Sequence, residues 1–247
     1  MLRKIIIYLN VFLLFSTACK THYKIDHSNA GHNELRSAAS YRQTDSLIDP
    51  YKLKLAKEIN KELNVATDNL TKDGNETTIG NFMCDVIKWA YDSVSKQTSD
   101  AIVLLNRGGI RTNINKGIVT VNSMFELMPF ENEIEAVDIK GSELKKIILV
   151  IIEKKHAFYN LKIEVQKNGT HIVNYLGKEI SDEQVYTLIT SDFLANGGDN
   201  FTFGKTKISS KKPNLKIRDA LIYYCMHLKY IGKPITPYTD GRFDISK

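Results

Sequence analysis

The stretch with the clearest chemical potential is Asn106-Arg107-Gly108-Gly109-Ile110-Arg111, which directly follows the apolar run Ala101 to Leu105. A glycine pair lets backbone N–H groups approach an anion, and a planar guanidinium grips phosphate oxygens in pairs. Taken alone, the segment also reads as an ordinary Gly-Gly turn beside a solvated arginine. A second stretch, Asp192 to Phe203, holds Gly197-Gly198 followed at once by Asp199. A carboxylate there suits the paired hydroxyls of a ribose. Phe193 precedes this loop and Phe130 follows Pro129, so both fall at element ends, where binding residues gather. Two such rings can stack on a nucleobase. Singly, each suits a core position better.

These segments need elements to hold them. Tyr51, Leu55, Ile59 and Leu63 recur every fourth residue, the spacing of an amphipathic helix. A second helix is predicted over Ile79 to Tyr91, with Phe82, Val86 and Ala90 on one stripe. Ala101 to Leu105, Ile134 to Ile139 and Val185 to Ile189 have strand length and composition. Gly141-Ser142 opens a helix reaching Glu153. Leu161, Ile163 and Val165 alternate, then Asn168-Gly169 and Ile172 to Tyr175 complete a hairpin of type I′ signature. A closing helix over Leu215 to Ile231 turns Ile217, Leu221, Tyr224 and Leu228 inward. Strands and helices mix without a regular βαβ rhythm or internal repeat, so the class is α+β with a mixed sheet, or irregular α/β.

Four segments then stand in order: Glu76-Thr77-Thr78-Ile79-Gly80-Asn81, Asn106 to Arg111, Met128-Pro129-Phe130, and Phe193-Leu194-Ala195-Asn196-Gly197-Gly198-Asp199. Together they resemble the C-terminal domain of the 5′-nucleotidase family from Asp49 to Phe203, with Ile217 to Tyr224 similar to its closing helix. The resemblance implies a layered α/β/β/α-type domain that clamps a nucleotide. It assigns base stacking to Phe130 and Phe193 and the ribose to Asp199. It also puts Arg111 on the phosphate and Asn106 in the same pocket, with Gly108 and Gly109 as close-approach positions. Asn75 stands where several relatives carry another arginine, leaving Arg107 as a candidate substitute.

The family's phosphate-ester hydrolysis uses two metal ions on a separate metallophosphoesterase domain of several hundred residues. Its ligand motifs have no counterpart here, so no catalytic residue, metal site or cofactor is expected in these 247 residues. Divalent metals are expected on a partner metallophosphoesterase. His22, His27 and His32 sit in a polar tail, while His156, His171 and His227 read as structural or solvated. Cys84 and Cys225 fall on helical patterns with no C-x-x-C spacing and read as small buried apolar groups.

At the start, Arg3-Lys4 precede the apolar run Ile5 to Phe15, then Ser16-Thr17-Ala18-Cys19. That run is too short for a spanning helix but suits a signal peptide, and Cys19 resembles the acylated cysteine of a bacterial lipobox. An ordinary secretory signal is the rival reading. The expected organisation is a signal peptide at 1–19, a flexible tether at 20–45 and one domain at 46–247. The protein would then be exported and lipid-anchored, facing the periplasm or cell surface. The 34 basic against 28 acidic side chains give +6, or +4 once Arg3 and Lys4 are removed. That surplus is too diffuse for nucleic acid. Three functions follow, in this order: the recognition half of a split 5′-nucleotidase, a stand-alone nucleotide- or nucleoside-binding lipoprotein for scavenging or sensing, or a degenerate relative that keeps the fold as an adhesion or structural lipoprotein.

Overall fold

A computed structural model describes residues 42–96 and 98–245. The signal segment, Cys19 and most of the expected tether lie outside these residues. The chain divides into two compact units, Met1–Ser46 and Leu47–Lys247.

Helix α1 (Arg42–Ile59) begins inside the stretch read as a tether. It stops before Leu63, contrary to the four-residue spacing. Lys61 N–H bonds to Glu58 O at its end, and the chain then enters strand β1 (Glu62–Ala66). There Leu63 is fully buried, whereas Tyr51 and Leu55 on the helix stay 76% and 60% exposed. The repeated apolar spacing therefore spans two elements. Sheet pairing, which spacing does not see, decides the break: β1 runs antiparallel to β3 (Gly117–Thr120).

Helix α2 (Thr78–Ser95) starts where the Thr77 hydroxyl accepts the Gly80 N–H, and it buries Ile79, Met83, Val86 and Ile87. Strand β2 (Ile102–Leu105) leads into a 3-10 turn at Arg107–Gly109. Helix α3 (Val121–Leu127), capped by Thr120 and Ser123, precedes β4 (Ile134–Lys140), α4 (Gly141–Lys154) and β5 (Ala157–Tyr159). Strands β6 (Lys162–Val165) and β7 (His171–Asn174) form the expected hairpin. Its turn differs from type I′. Gly169 alone adopts a positive φ, 83°, and its N–H returns to Gln166 O. That is a type I turn closed by a left-handed glycine.

The chain continues through β8 (Val185–Ser191), the short helices α5 (Asp192–Ala195) and α6 (Phe203–Thr206), and β9 (Ser209–Lys211). It closes with α7 (Ile217–Tyr230) and β10 (Phe243–Ile245).

The central sheet has the order β5-β2-β8-β4-β9, and a smaller one has β10-β6-β7. β2 is buried on both faces, and its residues alternate between two cores. Val103 and Leu105 join α2 and α7 on one side, with Ile79, Met83, Leu221 and Cys225. Ile102 and Leu104 join α4 and the small sheet on the other, with Leu144, Ile148, Ile163 and Phe243. The class is α+β with mixed sheets, as the sequence suggested. Cys84 and Cys225 are free and buried; burial pushes both thiols up, Cys225 to about 12. No described helix is long and apolar enough to cross a membrane.

Candidate functional site

Topology gathers the chemically suggestive segments at one end of the central sheet. β2 and β8 pair in parallel, Val103 against Ile189, so both Gly-Gly turns leave the same ends. Clefts beyond the carboxyl ends of strands are the usual ligand sites of such sheets. β4 is antiparallel to β8, with Ile134 opposite Ser191, which brings the Phe130 loop to that end as well. A cleft of about 290 Å3 results, lined by Asn106, Gly108, Gly109, Arg111, Phe130, Asn132, Phe193 and Asp199. Every candidate binding residue read from the sequence except Arg107 lies there, and Asn132 joins them without any sequence signal.

Phe130 and Phe193 are 41% and 46% exposed, unusual for large aromatic side chains and open to a ligand. The Arg111 guanidinium lies 5.9 Å from the Phe130 ring centroid and donates to Gly108 O at 3.1 Å. Across the cleft, Asp199 accepts a short hydrogen bond from the Asn106 side chain, tying the two turns together. Asp199 and Asn200 both adopt left-handed backbone, φ 51° and 65°. Consecutive non-glycine residues in that region are strained, and such strain concentrates at binding sites.

The Phe130 loop is held from two sides by residues the sequence did not flag. Arg218 on α7 is buried and donates to Met128 O and Phe130 O, both at 3.3 Å, while also pairing with Glu131. Hydrogen bonds from Lys216 and Arg218 hold the Glu131 carboxyl down to about 2. Asp192 accepts the N–H groups of Glu133 at 3.1 Å and Phe193 at 2.8 Å, so one carboxylate links the approaches to both rings. An Asp opening a short helix was the only visible hint of this.

The Arg107 guanidinium, the candidate substitute, is engaged outside the cleft. It donates to the carbonyls of Gly74 and Lys72. These bonds fasten the 72–74 loop beside the first turn. Lys72 comes with that loop, and its ammonium donates to Ile110 O at 2.5 Å. Burial, then the charges of Arg107 and Arg111, pull Lys72 below the usual lysine range, with no carboxylate opposing them. Three cations thus converge beside the first turn.

The Glu76 to Asn81 motif lies elsewhere and has a structural role. Glu76 accepts Asn81 Nδ2 at 2.6 Å and the Asp240 and Gly241 N–H groups at 2.8 and 3.1 Å, fixing the C-terminal segment. Arg242 in that segment pairs with Asp240 and with Asp85 on α2. Burial raises the Asp85 carboxyl to about 6 in spite of Arg242. Among the described residues no group of three or more His, Cys, Asp or Glu could hold a metal ion.

Comparison with known proteins identifies the family of the fold. The apyrase of Tabanus yao is 28% identical over 200 residues, covering 69% of this chain and 35% of that protein. The 5′-nucleotidase of Homo sapiens is 26% identical over 203 residues, covering 69% and 34%. The chain thus spans about a third of the length of these relatives. The crystal structure of a 5′-nucleotidase precursor from Thermus thermophilus shares the fold with a TM-score of 0.67. It is 22% identical over 83% of this chain and 43% of that one. A family model described as 5′-nucleotidase, C-terminal domain, matches residues 58–206, more than half of the sequence. This chain belongs to the 5′-nucleotidase C-terminal domain family.

Proposed function

We propose that this domain is the nucleotide-recognition half of a split 5′-nucleotidase, completed in trans by a metallophosphoesterase chain. The observation that carries the reading is the single cleft shared by Phe130, Phe193, Asn106, Arg111 and Asp199, drawn from three distant stretches. The two exposed rings accept the base, the Asp199 carboxylate accepts ribose hydroxyls, and the Arg111 guanidinium with the nearby Lys72 ammonium meets the phosphate. Divalent metals on the partner supply the activated water and polarise the phosphoryl group. A lipid on Cys19 would hold the domain at the exported face of a membrane. Anchoring both chains to one membrane would raise their effective concentration in place of a covalent link.

The test is phosphate release from AMP in the presence of divalent metal. This chain alone is expected to be inert, as is a metallophosphoesterase domain lacking its own C-terminal partner; their mixture is expected to turn over. An inert mixture, with AMP and adenosine still binding by calorimetry, would replace the split enzyme with a binding protein. Phe193→Ala should weaken adenosine roughly five- to 150-fold, the range for losing one stacking ring. Unchanged adenosine affinity in that variant would remove the nucleoside-binding reading itself.

A further inference from the structure

The first Gly-Gly turn rests on a buried histidine. β5 pairs with β2 so that Ala157 faces Leu105, which sets His156 beside the chain leaving β2. The imidazole is 5% exposed, and its Nδ1 accepts the backbone N–H of Arg107 at 3.1 Å. Its Nε2 is buried without a hydrogen-bond partner among the described residues. The ring also lies against Phe201, centroids 5.7 Å apart, so it touches the second turn's flank as well.

The Arg107 N–H is the first amide of the 3-10 turn and has no partner within it, and an N-cap side chain reaches the second or third amide rather than the first. Asn106 occupies that cap position but makes no cap bond, because its side chain reaches across to Asp199. His156 supplies the acceptor that this first N–H needs. Only an unprotonated Nδ1 can accept, so the neutral ring must carry its proton on Nε2.

We propose that His156 is a positioning residue for the nucleoside cleft. Its neutral imidazole holds the Arg107–Gly109 turn in the shape that lets Asn106 reach Asp199, and protonation releases that turn and weakens ligand binding. The inference rests on the nucleoside-binding reading above. Burial, with Lys154 and Arg107, opposes the charged ring, while Asp199 favours it. Glu76, Lys155 and Arg242 line the small cavity against the same ring. Burial dominates and moves the group below its ordinary value, so the bond is intact above about pH 6.5 and is lost as pH falls through the depressed titration.

Calorimetry with adenosine tests this, because AMP carries a phosphate that titrates near the same pH. Wild type should bind roughly tenfold more weakly at an acid pH where NMR shows the His156 ring protonated than at about pH 7.5, the scale of one buried hydrogen bond. His156→Asn, whose amide oxygen can stand where Nδ1 did, should bind equally at both values. His156→Leu should bind weakly at both. Amide exchange of Arg107 in the ligand-free protein should lose protection in acid for wild type but not for His156→Asn. A flat wild-type profile, or a His156→Asn profile as steep as wild type, would overturn the proposal even if the leucine variant does not fold. If wild type binds no adenosine at all, the cleft reading fails. Arg107 exchange would then still report whether His156 holds the turn.

Discussion

The two Gly-Gly turns carry the same dipeptide and leave neighbouring parallel strands, yet they need glycine for different reasons. In the first, neither residue has a positive φ. A Cβ on Gly109 would instead come within 2.6 Å of Asn106 Oδ1, the side chain that bridges to Asp199. In the second, Gly197 takes a left-handed φ of 96°, and a Cβ on Gly198 would lie 2.4 Å from the Phe193 ring. The first pair makes room for a hydrogen bond. The second bends the chain and sets the angle of an aromatic face. Anchoring differs too: Arg107 and His156 fasten the first turn from behind, whereas the second relies on the strained Asp199-Asn200 backbone.

The largest effect should come from the second turn. Gly198→Ala must push the Phe193 ring aside, and because that ring is half-exposed the fold can absorb the move. Adenosine affinity should fall by up to roughly a hundredfold with little change in the urea midpoint. Gly109→Ala should displace Asn106 and cost roughly tenfold in adenosine affinity through the lost bridge to Asp199. Equal losses in the two variants, or a collapse of stability in either, would erase the distinction between them. The smallest effect belongs to Lys72→Met, which should weaken AMP by roughly threefold at low salt and leave adenosine untouched. A matching loss for adenosine would make Lys72 a structural residue of the 72–74 loop.

Local patterns carried much of the fold. The run before Asn106 reads as a fully buried strand because both faces of β2 are covered. Gly141-Ser142 marks the start of α4, and the Asn168-Gly169 pair marks a hairpin. The errors arose where two local signals ran together. Leu63 continues a helical spacing but sits in β1, since strand pairing and the Asn64 side-chain bonds to Cys225 O and Lys233 O bind that segment to α7 and the chain just after it. The type of the hairpin turn depends on one extra residue in the loop, which the dipeptide alone does not register.

Within the cleft, residue types were legible and supports were not. Phe130, Phe193, Arg111 and Asp199 are legible only through the four collinear segments and the family they resemble, since each alone suits a core, a turn or a solvated surface. Arg218, Asp192, Lys72 and His156 act through partners 38 to 90 residues away in sequence, so no window of sequence displays them. Arg107 is the clearest case. Its position beside Gly108 suggests an anion ligand, but its reach ends on two loop carbonyls.

The sequence by itself determined which short segments could turn tightly, which could be buried on both faces, and which side chains could meet a base, a sugar or a phosphate. These are properties of φ preference, alternation and functional group, and each is settled within a few residues. Only the tertiary structure decided that the segments share one cleft. The parallel pairing of β2 with β8 and the antiparallel pairings of β4 and β5 bring Asn106 to Asp199, 93 residues apart, and His156 to Arg107, 49 apart. Such contacts form only when sheet register is fixed, and register is set by the burial of the whole molecule.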